Sequence, residues 1–279
     1  MSHILNVKTR KNHAKYVKEF FADLWEKYRY YSDLIYVLTL KEFKVRYKSS
    51  ILGYLWSVLN PICLALIYYL AFKVFLRIDM ENYLAFLLAG IFPWQLIANT
   101  VGSAPQHFLG NPAFIKKIRT PIIVVVVVNS LQNMIHFLLS LPAYIFVLLY
   151  SGLFPDLLLW MWAIPALLFA SFLLVMGMAL IVATINMFLR DVEHINSIIL
   201  QMLFFETPII YSVDMVPQKY LQFMYFNPYT MLIVTWNGVL FKNDFRVLWY
   251  LIALGTAFLV FCIGYALYRK LSWKFAEVL

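Results

Sequence analysis

The sequence predicts an all-α polytopic membrane protein with six transmembrane helices, an N-terminal amphipathic interface helix, and re-entrant half-helices between the fifth and sixth spans. Three observations carry this. The chain of 279 residues is 63% hydrophobic and 13% charged, with a mean hydropathy of +0.76. So few charges do not cover a soluble surface. Uncharged runs recur at the roughly 20-residue length that one bilayer crossing needs. Finally, the basic residues partition. With six spans and both termini cytoplasmic, only Lys73, Arg77, Lys219, Lys242 and Arg246 of the 23 Lys and Arg fall outside, as the positive-inside rule requires. The net charge of +9 is thus a topology signal and does not indicate nucleic acid.

Residues 1–48 form the cytoplasmic N-terminal segment, too polar to hold the apolar core of a signal peptide. Over 14–29, Val17, Phe20, Phe21, Leu24, Trp25 and Tyr28 recur at helical spacing, with charged residues on the other face. That pattern predicts an amphipathic helix along the headgroups or packed on a soluble partner. Ser32-Asp33 predicts the N-cap of a second helix through Lys48. Lys41, Lys44, Arg46 and Lys48 then precede the first long uncharged run, and Tyr47, Tyr54 and Trp56 fall at interface depth.

The membrane domain covers 49–270, with spans at 51–76, 84–108, 120–150, 158–189, 195–213 and 247–268, and 271–279 as a cytoplasmic tail. Asn60-Pro61 lies inside the first span. The second carries a Pro93-Trp94 break near its outer end and a Gly110-Asn111-Pro112 break at its inner end. The stretch 217–242 is uncharged for most of its length but holds Asn227-Pro228 and Asn237-Gly238. It predicts two half-helices that dip in and return, since such breakers are tolerated at depth only against protein or water. A full seventh span would put Arg269 and Lys270 outside.

Several chemistries lack a signature. There is no GxxxxGK[ST], so ATP is not bound here through a P-loop. No HExxH or close His/Cys cluster points to a metal, and no serine sits in GxSxG. Cys63 and Cys262, far apart in apolar runs, predict buried thiols with no redox role. Polar residues inside the spans stand out instead. Asn129, Gln132, Asn133, His136 and Ser140 share one face of the third span, where polar groups must find partners. Hydrogen bonding within one subunit is the ordinary explanation, and pore lining the alternative. Glu206 is the one carboxylate well inside a span, expected to steady the outer end of a translocation path through a neighbouring amide. Phe114, Ile115, Lys116, Lys117, Ile118 and Arg119 lie between Asn111-Pro112 and Pro121, a short basic segment read as a docking helix. Arg190 and Asp191 close the fourth span.

Together these pieces resemble the membrane subunit of type 2 ABC exporters, in the polysaccharide branch that includes the Wzm-type O-antigen permeases and the related capsule and teichoic acid permeases. The matching segments, in order, are RYKSSILGYLWSVLNP (46–61), FPWQ (92–95), NPAFIKKIRTP (111–121), RDVEH (190–194), PIIYSVDMVP (208–217) and NPYTMLI (227–233). One departure stands out: these permeases often carry an arginine a few residues after the NP of the re-entrant segment, where Trp236-Asn237 stand here. A charge-based outer gate is therefore not carried over.

The resemblance implies the type 2 ABC exporter fold, a homodimer, and two copies of a separate cytoplasmic ATP-binding subunit that holds the ATP and Mg. This chain would have no cofactor or catalytic site of its own. The implied substrate is a polysaccharide on undecaprenyl pyrophosphate, moved across the bacterial inner membrane. Residues 114–119 would be the coupling helix, within a coupling segment at 111–120, and Arg46, Arg190 and Asp191 would sit near the cytoplasmic entrance. Aromatic faces that stack on sugars and amides that exchange hydrogen bonds suit a sliding glycan. Tyr54, Trp56, Tyr68, Tyr69, Gln201, Phe204, Phe205 and Tyr211 are the candidate lining residues. A permease for a small molecule or lipid, an intramembrane enzyme acting on a lipid-linked sugar, and a non-transporting scaffold are the competing readings.

Overall fold

The computed structural model describes residues 25–45, 52–110 and 121–278, and these are almost wholly helical. Residues up to Arg46 form one unit and those from Tyr47 another. In the first, α1 covers 25–45 without interruption. The expected cap at Ser32-Asp33 is not there: the Ser32 hydroxyl donates back to the Arg29 carbonyl at 2.9 Å, inside a continuing helix. Inside a continuing helix the following backbone N–H groups are already bonded to carbonyls, so none is left for Ser32 to cap. Trp25 and Tyr28 stack at 5.8 Å on an exposed face.

The second unit begins with a 3₁₀ turn, Gly53–Leu55, leading into α2 (Trp56–Tyr68), which widens into a π-helical stretch over Tyr69–Phe75. Next come α3 (Tyr83–Ser103), α4 (Pro105–Leu109), α5 (Ile123–Tyr150) and α6 (Leu157–Asn186). They are followed by α7 (Val192–Glu206), α8 (Gln218–Phe226), α9 (Thr230–Phe241), α10 (Val247–Leu271) and the short α11 (Phe275–Val278). Helices satisfy every interior backbone group within the segment, which is what hydrocarbon demands. Among the described residues, five helical stretches are long and apolar enough to cross: Trp56–Phe75, Tyr83–Ser103, Ile123–Tyr150, Leu157–Asn186 and Val247–Lys274. The expected fifth span is shorter, because α7 stops after 15 residues at Glu206 and Thr207 turns the chain. In place of a seventh span stand α8 and α9, of 9 and 12 residues, hinged at Asn227-Pro228.

α3 is the hub. It packs against α2, α5, α6, α7 and α9, and most of its residues are buried, whereas the Trp56–Phe75 stretch buries few. It also corrects an expectation, for the helix runs straight through Pro93. Membrane helices absorb a proline when neighbours enclose it, and Pro93 and Trp94 are both buried. The break falls at Ala104-Pro105 instead. The two cysteines also differ from expectation. Both are exposed on the helix bundle's outside, because an apolar run in a membrane protein faces lipid as readily as protein.

α6 and α10 form the most extensive pairing. A Cβ built on Gly177 would lie 2.6 Å from the Phe261 backbone, and one on Gly264 would strike the Gly177 carbonyl. Only hydrogen at these two positions allows so close a crossing, the small-residue contact typical of membrane helices.

Candidate functional site

At one end of the bundle, α3 stops where Pro105 cannot donate a backbone hydrogen bond. The amide of Asn196 on α7 supplies one to the Val101 carbonyl at 2.9 Å, and Asn186 on α6 donates to the Pro105 carbonyl at 2.9 Å. Gln106 reaches Glu193 at 2.6 Å. From α5, Asn133 donates to the Thr100 hydroxyl at 3.1 Å and to Asn129 Oδ1 at 3.0 Å, and Ser103 donates to Asn129 Oδ1 at 3.2 Å. The polar face of the third span is therefore turned inward: Gln132, Asn133, His136 and Ser140 are all buried, and Asn129 is half-buried. Of the two explanations, hydrogen bonding within the subunit describes Asn129 and Asn133. Together the amides make a polar collar on the end of α3.

Beside this collar lies an apolar plug. Phe108 packs on Phe275 at 5.2 Å and on Tyr268 at 5.9 Å, and Ile122 is buried in the same cluster. The flanks of 111–120 are thus held by one packed body. Phe114, Ile115, Lys116, Lys117, Ile118 and Arg119 themselves lie outside the described residues, as does Arg46. Arg190 and Asp191 are exposed in the turn between α6 and α7 at this same end.

The opposite end holds the breakers. After Glu206 the chain turns inward, and Thr207, Pro208, Ile209 and Ile210 are buried. Three contacts pin this turn. Tyr83 donates its hydroxyl to the Ile210 carbonyl at 2.6 Å. Ile209 lies so near Gly90 that an added Cβ would sit 3.2 Å from it. Asn227 donates to the Thr207 hydroxyl at 2.9 Å while its oxygen accepts from the Tyr229 N–H at 2.9 Å. One asparagine thereby ties the end of α7 to the hinge between α8 and α9. Tyr211 donates to the Phe205 and Glu206 carbonyls at 3.0 and 2.8 Å, closing the last turn of α7. Glu206 is exposed, and its carboxylate makes no hydrogen bond among the described residues. The expected amide partner is replaced by Tyr211 on its backbone.

Of the candidate lining residues, Tyr68, Phe204 and Phe205 come together: Tyr68 stacks on Phe204 at 5.4 Å, and Phe205 meets Phe204 edge-on at 5.2 Å. Trp94 and Tyr229, not singled out as lining residues, complete the cluster, with Trp94 5.7 Å from Phe204 and 5.9 Å from Tyr229. They lie in the FPWQ and NPYTMLI segments, which were the available signal. Tyr69 sits apart against Tyr83 at 6.3 Å. Trp56 and Gln201 are exposed and join neither group, and Tyr54 is in the 3₁₀ turn before α2. α2 and α7 remain largely uncovered, and of α7 only Asn196 and Phe204 are buried.

A bundle with a polar collar at one end and a pinned, broken-helix cap at the other suits a gated path more than a reaction centre. Comparison with known proteins agrees. The chain is 37% identical over 255 residues to an O-antigen export system permease protein RfbA of Klebsiella pneumoniae, covering 90% of this chain and 96% of that one. A second Klebsiella pneumoniae protein of the same name is 36% identical over 250 residues, with the same coverage. The Myxococcus xanthus protein of that name is 28% identical over 215 residues, 76% of this chain and 82% of the relative. Residues 33–241 match the family described as ABC-2 type transporter, and the chain belongs to that family.

Proposed function

We propose that this chain is the permease subunit of an exporter for an O-antigen-like polysaccharide carried on undecaprenyl pyrophosphate. The observation that carries the reading is the 37% identity spanning 96% of a protein named for O-antigen export. In this reading the protein sits in the bacterial inner membrane with both termini cytoplasmic. It works as a homodimer with two copies of an ATP-binding subunit, which supplies ATP and Mg. The buried flanks Phe108 and Ile122 support a coupling role for 114–119, because a docking segment transmits force only from a rigid base. The uncovered faces of α2 and α7, joined by the Tyr68–Phe204 stack, are the surfaces we assign to the second copy. Aromatic and amide side chains there offer a glycan stacking faces and exchangeable hydrogen bonds.

The test is depletion of the chain in its host, with lipid-linked glycan measured on each side of the membrane. Accumulation inside, with loss of surface glycan, supports the reading. Unchanged surface glycan overturns it. Copurification in mild detergent tests the partner: an ATP-binding subunit retained by the wild-type chain and lost when 114–119 is scrambled is the expected result.

A further inference from the structure

One cavity lies outside the contacts described so far. It holds about 370 Å³, between the turn after α7, the helices α8 and α9, and the start of α10. Its size falls within the range of small-ligand sites. It opens at the pinned end of the bundle, the outer side in the topology proposed above. Its walls are aromatic and polar together. Tyr225 meets Trp249 edge-on at 6.2 Å, and Phe86 and Tyr211 contribute further rings. Asn237, Thr235, Ser212 and Gln218 supply uncharged polar groups.

The charges around the cavity decide the ligand. Arg246 Nε lies 2.9 Å from Asp244, and Lys242 lies 4.0 Å from Asp214. Each cation already has a carboxylate, so the cavity offers no net positive charge to a phosphate. An apolar ligand would cover the polar groups of the lining without offering them a hydrogen bond, which is unfavourable. A neutral polyhydroxyl molecule fits both demands. Carboxylates accept hydroxyl hydrogens in short charge-assisted bonds, and an aromatic ring covers the apolar face of a pyranose. The loop carrying three of these charges is built to be rigid. Asn243 adopts φ +53, accepts from the Asp156 N–H at 3.0 Å and donates to the Phe154 carbonyl at 2.9 Å. Asp244 N–H donates to the Gly238 carbonyl at 2.9 Å, and an added Cβ on Gly238 would be 2.9 Å from the Asp244 carbonyl. Glycine there lets the loop fold onto α9.

We propose that this cavity is a saccharide subsite that holds one neutral sugar unit at the outer mouth of the path, with Asp244 and Asp214 as hydroxyl acceptors and Trp249 as the stacking wall. The proposal rests on the export reading and adds a site to it.

The test uses the purified permease with its ATP-binding partner in lipid nanodiscs. The probes are methyl α-mannoside, methyl α-glucoside, methyl β-galactoside, and oligosaccharides released by mild acid from the host's own surface glycan. Binding is read by saturation-transfer NMR. At least one of these probes is expected to bind, with Trp249→Ala and Asp244→Asn each weakening it about tenfold, the loss of one good contact. Both variants are checked for monodisperse elution, and Gly255→Ala, outside the cavity lining and with open space at its Cβ position, serves as the folded control. No binding by any probe, binding indifferent to both substitutions, or displacement by inorganic phosphate overturns the proposal. The export reading is judged separately by the depletion experiment. Glycan accumulation on depletion without probe binding removes only the subsite, whereas unchanged surface glycan removes the reading itself.

Discussion

Asn196 gives the Val101 carbonyl a hydrogen bond, at 2.9 Å, that Pro105 is unable to give. In an unbroken helix residue 105 would donate to the carbonyl four residues back. Proline has no N–H, so the carbonyl turns to a side chain on a neighbouring helix. Along the chain, Ala104 N–H also reaches it, at 3.2 Å. The kink between α3 and α4 and the seating of α7 are thereby one feature.

Asn196→Ala is expected to leave that buried carbonyl with the longer Ala104 bond alone, costing about 0.5–1.5 kcal/mol. Pro105→Ala provides the complementary half of a double-mutant cycle. Alanine restores the backbone donor, so the cost of Asn196→Ala should shrink in the Pro105→Ala background. Thermal unfolding of the detergent-solubilised variants measures both. Equal costs in the two backgrounds would mean that Asn196 acts by packing alone.

The α6–α10 crossing predicts a second set. Gly177→Ala places a methyl group 2.6 Å from the Phe261 backbone, which no rotamer relieves, so the helices must part. Overpacking of this kind costs about 1–3 kcal/mol, and Gly264→Ala should behave alike. Gly255→Ala, on the same helix with open space at its Cβ position, should be neutral or stabilising through helix propensity. A melting point for Gly177→Ala at or above that of Gly255→Ala would contradict the close crossing.

Asn227 joins two breakers, so its loss should be felt at both. Asn227→Ala removes the donor to Thr207 and the acceptor for Tyr229 N–H. Two hydrogen bonds at about 1 kcal/mol each give about 2 kcal/mol. Thr207→Val removes only the shared one. A double-mutant cycle should therefore show coupling of about 1 kcal/mol. The functional counterpart is a loosened cap, read as faster hydrogen exchange over 207–212 and 227–230 in Asn227→Ala than in wild type.

The sequence carried the architecture well where the signal was local. Uncharged runs located the helices, and Asn227-Pro228 marked the hinge, because breakers and charges act within a few residues. Pairings distant in the chain were not legible in the same way. Pro93 promised a break that enclosure by neighbours suppresses, while Pro105 drew no notice and made one. Ser32 had the chemistry of a cap, but the helix runs on through it and leaves no free N–H to cap. Gly177 and Gly264 looked like any membrane glycines until the helices crossed, and Trp94 and Tyr229 entered the aromatic cluster only through the register of α3 against α7 and α9. The cysteines were misjudged because hydropathy does not distinguish lipid from protein.

Glu206 remains the test of whether the end of α7 takes part in transport. The carboxylate is exposed and makes no hydrogen bond among the described residues, so Glu206→Gln should leave the folded yield and melting point of the protein unchanged, within the roughly 0.5 kcal/mol typical of surface changes. Export of glycan should nevertheless fall, because the charge stands immediately after the Phe204–Phe205 aromatic pair and beside the pinned cap. Tyr211→Phe separates the charge from the geometry. It removes the hydroxyl that closes the last turn of α7 and leaves Glu206 in place. If charge matters, Glu206→Gln impairs export and Tyr211→Phe has the smaller effect. If the closed turn matters, the order reverses. Wild-type export in both variants, at wild-type abundance, would take this end of α7 out of the mechanism.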